Sequence, residues 1–142
     1  MEPDPRPPLF THRMRIRYAE CDQQGVVFNA HYLAFYDVAM VELWRARLGG
    51  YAAMVAAGAD YMIAETHLHY VAGARFDEQL EIDVRVGRIG TSSLVLEPTF
   101  RVGDRVCVHG AVRHVFVVPG GRSRPIPDDV RALVEPHAPP AA

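Results

Sequence analysis

A chain of 142 residues with 49% hydrophobic content is long enough to bury one sizeable core and too short for two ordinary domains. Its formal net charge of -2 does nothing to attract a polyanion, so nucleic acid is not an expected partner. All 15 basic residues are Arg and none is Lys, which excludes Schiff-base chemistry on a Lys and leaves guanidinium groups as the only strong ligands for phosphate.

The first eleven residues are rich in Pro and read as a flexible N-terminus. They hold no apolar run of the length that a signal peptide or membrane span requires, so a cytoplasmic protein without a membrane span is expected. From His12 to Glu20, basic and apolar residues alternate (Arg13, Met14, Arg15, Ile16, Arg17, Tyr18), the period of a half-buried strand. Cys21 to Val27, with Asp22, two Gln and Gly25, reads as a short loop that turns the chain. Two cysteines, Cys21 and Cys107, are too few for a disulfide framework and read as packing residues.

From about Ala30 to Leu48 the period becomes helical, and Leu33, Phe35, Val38, Met40, Val41, Leu43 and Trp44 leave almost no polar face. Gly49 and Gly50 supply the stop, and Tyr51 to Ala57 reads as a second short helix. Strand material follows at Tyr61 to Val71, Leu80 to Arg88, Ser93 to Val102 and Arg105 to Val118, with short turns between that argue for an antiparallel meander. Asp128 to Val134 reads as a turn or two of helix before a disordered tail at 135–142. One domain over 12–134 is expected, with no internal repeat. Its class is α+β, a sheet of about five strands curled round one long helix. One sheet cannot cover every side of so apolar a helix, so a homodimer or homotetramer is expected.

The segment joining the first strand to the helix carries the chemistry. Asp22 sits in a Gly-containing loop a few residues before a helix N-terminus, whose unpaired N–H groups near Phe28 to Ala30 form a positive end able to polarise a carbonyl. A carboxylate beside such donors suffices for acyl transfer, as nucleophile or as general base for water. Asp22 fits a turn or capping residue as well, and Glu20 fits either role equally.

The pattern Tyr18-x-x-x-Asp22-x-x-Gly25-Val26-Val27-x-x-x-x-Tyr32-x-x-Phe35, followed by Glu42-Leu-Trp-Arg45, resembles the start of the 4-hydroxybenzoyl-CoA thioesterase-like family of hotdog proteins. Ala74-Arg75-Phe76-Asp77-Glu78-Gln-Leu80, and the ending His114-Val-Phe-Val-Val-x-x-Gly-Gly-Arg before Pro125-Ile-Pro127, extend the likeness from about Arg15 to Pro127. The resemblance implies a hotdog fold, paired sheets in a dimer or tetramer, and hydrolysis of an acyl-CoA or aroyl-CoA thioester without a cofactor. It places Asp22 on the family's catalytic Asp, and Asn29 where a backbone N–H polarises the thioester carbonyl. Gly25, Val26 and Tyr32 fall in the same motif and are expected at the substrate. Two departures stand out: Asn29-Ala30-His31-Tyr32 replaces the common His-Ala-Asn-Tyr, so a His-assisted step at position 29 has no His to use, and Gly73-Ala74 replaces Pro-Ala.

The phosphorylated end of CoA needs Arg and small hydroxyl donors. Arg88, Thr91, Ser92 and Ser93 in one turn, and Arg122 and Arg124 in another, are candidates, although each also fits a solvated turn residue. His67 and His69, two apart on a strand, share a face as two metal ligands could. With no third ligand nearby they are read as structural or as lining the acyl pocket, and no metal site is expected. Glu42 is the reserve catalytic carboxylate, because a related class of hotdog thioesterases uses a helix Glu. Its other reading is a structural ion pair with Arg45. The competing function is a non-catalytic module that binds acyl-CoA or acyl carrier protein. A hydratase on the same fold is weaker, since its Asp/His pair is not recognisable.

Overall fold

Leu80, Ile82, Val84 and Val86 are spaced by two and all fully buried, so one face of their strand is apolar and turns inward. The same alternation in Leu94, Leu96, Phe100, Val108, Val112 and Phe116 builds a single apolar sheet face, and the long helix lies against it. The computed structural model describes residues 4–140. In chain order the elements are β1 (Phe10–Arg15), α1 (His31–Leu48), α2 (Tyr51–Ala56), β2 (Asp60–Tyr70), β3 (Gln79–Ile89), β4 (Ser93–Val102), β5 (Arg105–Val117) and α3 (Asp128–Val134). The five strands form one antiparallel sheet in the order β1-β3-β4-β5-β2. This is the expected hotdog arrangement, with Tyr32, Phe35, Ala39, Met40, Leu43 and Trp44 of α1 buried in its concave face.

The start of the chain differs from the sequence reading. β1 begins at Phe10 rather than His12 and ends at Arg15, because Leu9 is already buried and its N–H donates to Val84 O. Tyr18–Glu20 is a 3-10 turn, not strand, since the Glu20 carboxylate folds back to accept the Arg17 N–H at 2.7 Å. Ahead of β1, Arg6 donates to Val86 O and pairs with Glu97 at 2.8 Å, while Arg85 Nε donates to Arg6 O at 2.6 Å. Residues from Asp4 onward are therefore strapped across the outer sheet face, where a flexible segment was expected. The expected flexible N-terminus at 1–3 and tail at 141–142 lie outside the described residues, and Glu135–His137 forms one 3-10 turn.

Under that strap sits the main charged network. Asp83 is buried and accepts from Thr11 Oγ1 and from Arg101 Nε, both at 2.7 Å. Burial pushes its carboxyl up, but the hydrogen bonds from Arg101 and Thr11 outweigh that and hold it below the usual range.

Two surfaces of the fold stay uncovered. Leu33, Val38 and Val41 of α1 are each more than 40% exposed, and so are Met62 and Ile63 of the edge strand β2. No helix among the described residues is long and apolar enough to cross a membrane.

Candidate active site

The loop between β1 and α1 is shaped by its own backbone. Asp22 N–H donates to Val26 O at 2.9 Å and Gly25 N–H returns to Asp22 O at 3.0 Å, closing a tight turn. Gly25 adopts φ +78°, a conformation that costs other residues energy and Gly almost none. A short bridge between Cys21 and Val27 closes the loop on itself, and one between Val26 and Arg75 fastens it to the segment that leads into β3.

Within the turn the Asp22 carboxylate is held from one side. Its Oδ1 accepts the Gln24 N–H at 2.8 Å, and among the described residues Oδ2 has no hydrogen-bond partner. Asp22 is half-buried, so one oxygen orients the group and the other can meet a substrate or water.

The start of α1 supplies the donors. Phe28 N–H is taken by Glu20 O and His31 N–H by Phe28 O, whereas Asn29 N–H has no protein acceptor among the described residues. Ala30 is the N-cap residue and no side chain caps the helix, so its positive end is open to a ligand. Tyr70, at the end of β2, donates its hydroxyl to Asn29 O at 3.1 Å, which fixes the Asn29 carbonyl. Asp22, Val26, Asn29, Tyr32 and Tyr70 line one cleft of about 470 Å³. Burial raises the Tyr32 phenol to about 12, so it stays neutral and acts as wall or hydrogen-bond partner rather than as an acid.

Asp22 also lines a second cleft, of about 690 Å³, whose other walls are Tyr18, Cys21, Gln23, Gly25 and Phe76. The carboxylate thus stands where two clefts meet. Tyr18 and Phe76 pack edge to face there, with ring centroids 5.9 Å apart.

Of the residues singled out from sequence, Asp22, Val26, Asn29 and Tyr32 come together in the first cleft and Gly25 lies in the second. Glu20 is excluded from the role it shared with Asp22, because its carboxylate is buried and caps Arg17. Glu42 lies eleven residues along α1 from His31, about 16 Å at the helical rise, and is ion-paired with Arg45. It does not reach the Asp22 clefts.

His67 and His69 face the outer side of the sheet, because the residues alternating with them, Leu68 and Tyr70, belong to the inner side, where Tyr70 packs on Tyr32. His67 contacts Glu65 at 2.9 Å and His69 stacks on His109. Neither lines the two clefts at Asp22. Among the described residues no group of three or more His, Cys, Asp or Glu is placed to hold a metal ion.

The proposed phosphate ligands sit elsewhere too. Arg88, Thr91, Ser92 and Ser93 surround the β3–β4 turn, and β3 begins near the Asp22 loop, so its far end is roughly 30 Å away. That turn is held by Phe116 N–H on Ser92 O and by Arg131 on Gly90 O. Arg122 is in the exposed turn after β5, and Arg124 reaches back to Gly58 O. One chain does not bring any of these to Asp22.

Sequence reasoning missed Tyr70, which is 41 residues from its partner Asn29, and the Tyr18–Phe76 pair. The model of the thioesterase-like superfamily matches residues 16–134, which includes every element of both clefts. The chain belongs to the thioesterase-like superfamily.

Other comparisons agree with that membership. This superfamily member is 33% identical over 87 residues to the acyl-CoA thioester hydrolase YbgC of Escherichia coli, a stretch that is 61% of this chain and 65% of the relative. It thus spans just under two thirds of the length of that curated relative. Among solved structures it resembles a thioesterase-superfamily protein from Jannaschia sp. CCS1, with TM-score 0.86, 24% identity and coverage of 99% of this chain and 98% of that one. A hypothetical protein from Thermus thermophilus matches with TM-score 0.80 and 28% identity, over 89% of this chain and 98% of the other.

Proposed function

We propose that this superfamily member hydrolyses acyl-CoA or aroyl-CoA thioesters to the free acid and CoA, with Asp22 as the catalytic carboxylate. The observation that carries this reading is the half-tethered Asp22 carboxylate, in one cleft with the unpaired Asn29 N–H at the open end of α1. The thioester carbonyl oxygen takes the Asn29 N–H, which stabilises the oxyanion as the carbonyl carbon becomes tetrahedral.

Two routes use this geometry and both balance. As general base, Asp22 Oδ2 accepts a proton from water while the water oxygen bonds to the carbonyl carbon. The tetrahedral adduct then expels the CoA thiolate, which takes up the proton. As nucleophile, Oδ2 bonds to the carbonyl carbon, the thiolate leaves, and water cleaves the resulting anhydride. The products are the same. The likeness to the Escherichia coli hydrolase supports CoA as carrier, and acyl carrier protein presents its acyl group on the same kind of pantetheine arm.

A second copy of the chain completes this reading. Leu33, Val38 and Val41 of α1 are exposed, as are Met62 and Ile63 of the edge strand β2, and burying such surfaces against its own copy is a common symmetric solution. Distant groups such as Arg88, Thr91, Ser92, Ser93 and Arg122 reach substrate only if a partner chain brings them to the cleft.

The test is release of free thiol from short, medium and long acyl-CoAs, benzoyl-CoA and a hydroxylated aroyl-CoA. Turnover of one class supports hydrolysis and identifies the acyl group. Binding of these thioesters with no thiol release would replace the enzyme with the binding module.

A further inference from the structure

The partition of space at Asp22 assigns the two arms of the substrate. A thioester carbonyl carbon carries an acyl chain on one side and, through sulfur, a pantetheine arm on the other. We infer that the Tyr18–Phe76 cleft is the carrier channel: it takes the pantetheine arm, with Arg75 meeting the phosphate at that arm's far end, while the acyl group occupies the cleft beside Asn29. This inference rests on the thioesterase reading given above.

Three observations carry it. The Asn29 N–H that donates to the carbonyl oxygen belongs to the first cleft, whose walls include Val26, Val27, Tyr32, Tyr70 and Val71 beside Gln24. An acyl chain finds mainly apolar surface there. The sulfur, on the far side of the same carbon, then faces the second cleft.

That second cleft mixes aromatic and polar walls, as the first does, and can take an amphiphilic chain. Tyr18 is 81% exposed and Phe76 is 55% exposed, yet they pack edge to face across the cleft from Asp22. Large exposed aromatics side by side are unusual on a surface with no ligand to cover them. Gln23 and the Gly25 backbone supply polar groups along the same wall, suited to the amides of pantetheine.

The third observation is Arg75. A Cβ placed on Gly25 would lie 3.6 Å from Arg75 Nη1, so this guanidinium overhangs the cleft at Gly25. Its neighbours Arg15, Arg17 and Arg105 pair with Asp77, Glu20 and Glu78 respectively. Among the described residues the Arg75 guanidinium has no ion-pair or hydrogen-bond partner, and an unpaired guanidinium is a ready phosphate ligand.

The experiment is ligand-observed NMR titration of the full chain with CoA, 4′-phosphopantetheine and pantetheine, none of which carries an acyl group. Wild type, Tyr18→Ala, Phe76→Ala and Arg75→Gln are compared, all changes at exposed positions that leave the core untouched. Loss of either aromatic is expected to weaken all three ligands about fivefold or more. Arg75→Gln is expected to weaken the two phosphorylated ligands about threefold or more and to leave pantetheine within about twofold. Unchanged affinities in the aromatic variants, or wild type that binds none of the three ligands, would overturn the assignment. A shift in acyl-chain preference with CoA affinity intact would overturn it too and give this cleft to the acyl arm. If wild type binds CoA as described but releases no thiol from any thioester, the carrier channel stands and the hydrolase reading falls.

Discussion

The Tyr70 hydroxyl donates to the carbonyl oxygen of Asn29 at 3.1 Å, tying the end of β2 to the residue whose N–H faces the candidate site. The Asn29 carbonyl belongs to the Asn29–Ala30 peptide, next to the Phe28–Asn29 peptide that carries the N–H, and outside the helix no ladder of bonds fixes that neighbouring plane. Removing the hydroxyl frees that plane while leaving the ring against Tyr32.

Tyr70→Phe is therefore expected to lower kcat by about threefold to tenfold with KM changed by less than about twofold. The bond is exposed, so the cost in unfolding free energy is about 1 kcal/mol or less. Steady-state kinetics on the preferred thioester, alongside urea unfolding, separate the two effects. An equal rise in KM with kcat unchanged would mean that Tyr70 only binds substrate.

His114 gives a pH prediction. It is buried among Tyr36, Tyr61 and Leu94, with Nε2 2.7 Å from the Tyr36 hydroxyl and Nδ1 without a partner among the described residues. Burial lowers its pKa from 6.5 to about 4. Between those values the unfolded chain binds a proton that the folded chain does not, so stability is full above about 6.5 and is lost as pH falls toward 4. The loss reaches about 3 kcal/mol. His109, also lowered by burial and by His69, adds to the same window, whereas the depressed carboxyls of Asp4, Glu78 and Asp83 act below it. Replacing both His114→Leu and Tyr36→Phe, so that no hydroxyl is left orphaned, should flatten most of the slope in urea unfolding across pH 7 to 4. An unchanged slope would show that His114 is protonated in the fold.

The exposed stripe on α1 tests the assembly. Val38 is 46% exposed, so Val38→Glu costs the isolated fold little but places a charge on the face assigned to a second copy. Sedimentation should show wild type as a dimer or tetramer and the variant as monomer, with circular dichroism unchanged. A monomeric wild type would remove the partner from the account.

Much of this architecture is legible in the sequence. α1 was marked by its apolar content and the Gly49-Gly50 stop, and its uncovered stripe was anticipated because one sheet cannot enclose it. β3 is marked by the clean alternation of Leu80, Ile82, Val84 and Val86, and β5 by Val106, Val108, Val112 and Phe116 on a longer frame. The start of β1 is not, because Leu9 and Phe10 follow four prolines within residues 3–8 and show no period of their own. Asp22 and Asn29 share a loop, so short-range spacing was enough to place them in one site. Arg88, Thr91, Ser92 and Ser93 failed that test: spacing says nothing about which end of an 11-residue strand meets the loop, and only the register of the sheet decides it. The same holds for Tyr70 and Asn29, and for His67, whose carbonyl lies where any Cβ on Gly110 would strike it at 1.9 Å. Such close approaches come from pairing between distant strands and leave little trace in local pattern.

The measurement that bears most directly on the central claim is kcat/KM for Asp22→Asn against wild type on the best thioester, with CoA affinity measured in parallel. Asn keeps the shape and the oxygen that accepts the Gln24 N–H but can neither attack nor take a proton. If Asp22 is the catalytic carboxylate, kcat/KM falls by at least about a hundredfold with CoA affinity within about twofold. A variant as active as wild type would make Asp22 a turn residue and remove it from the chemistry.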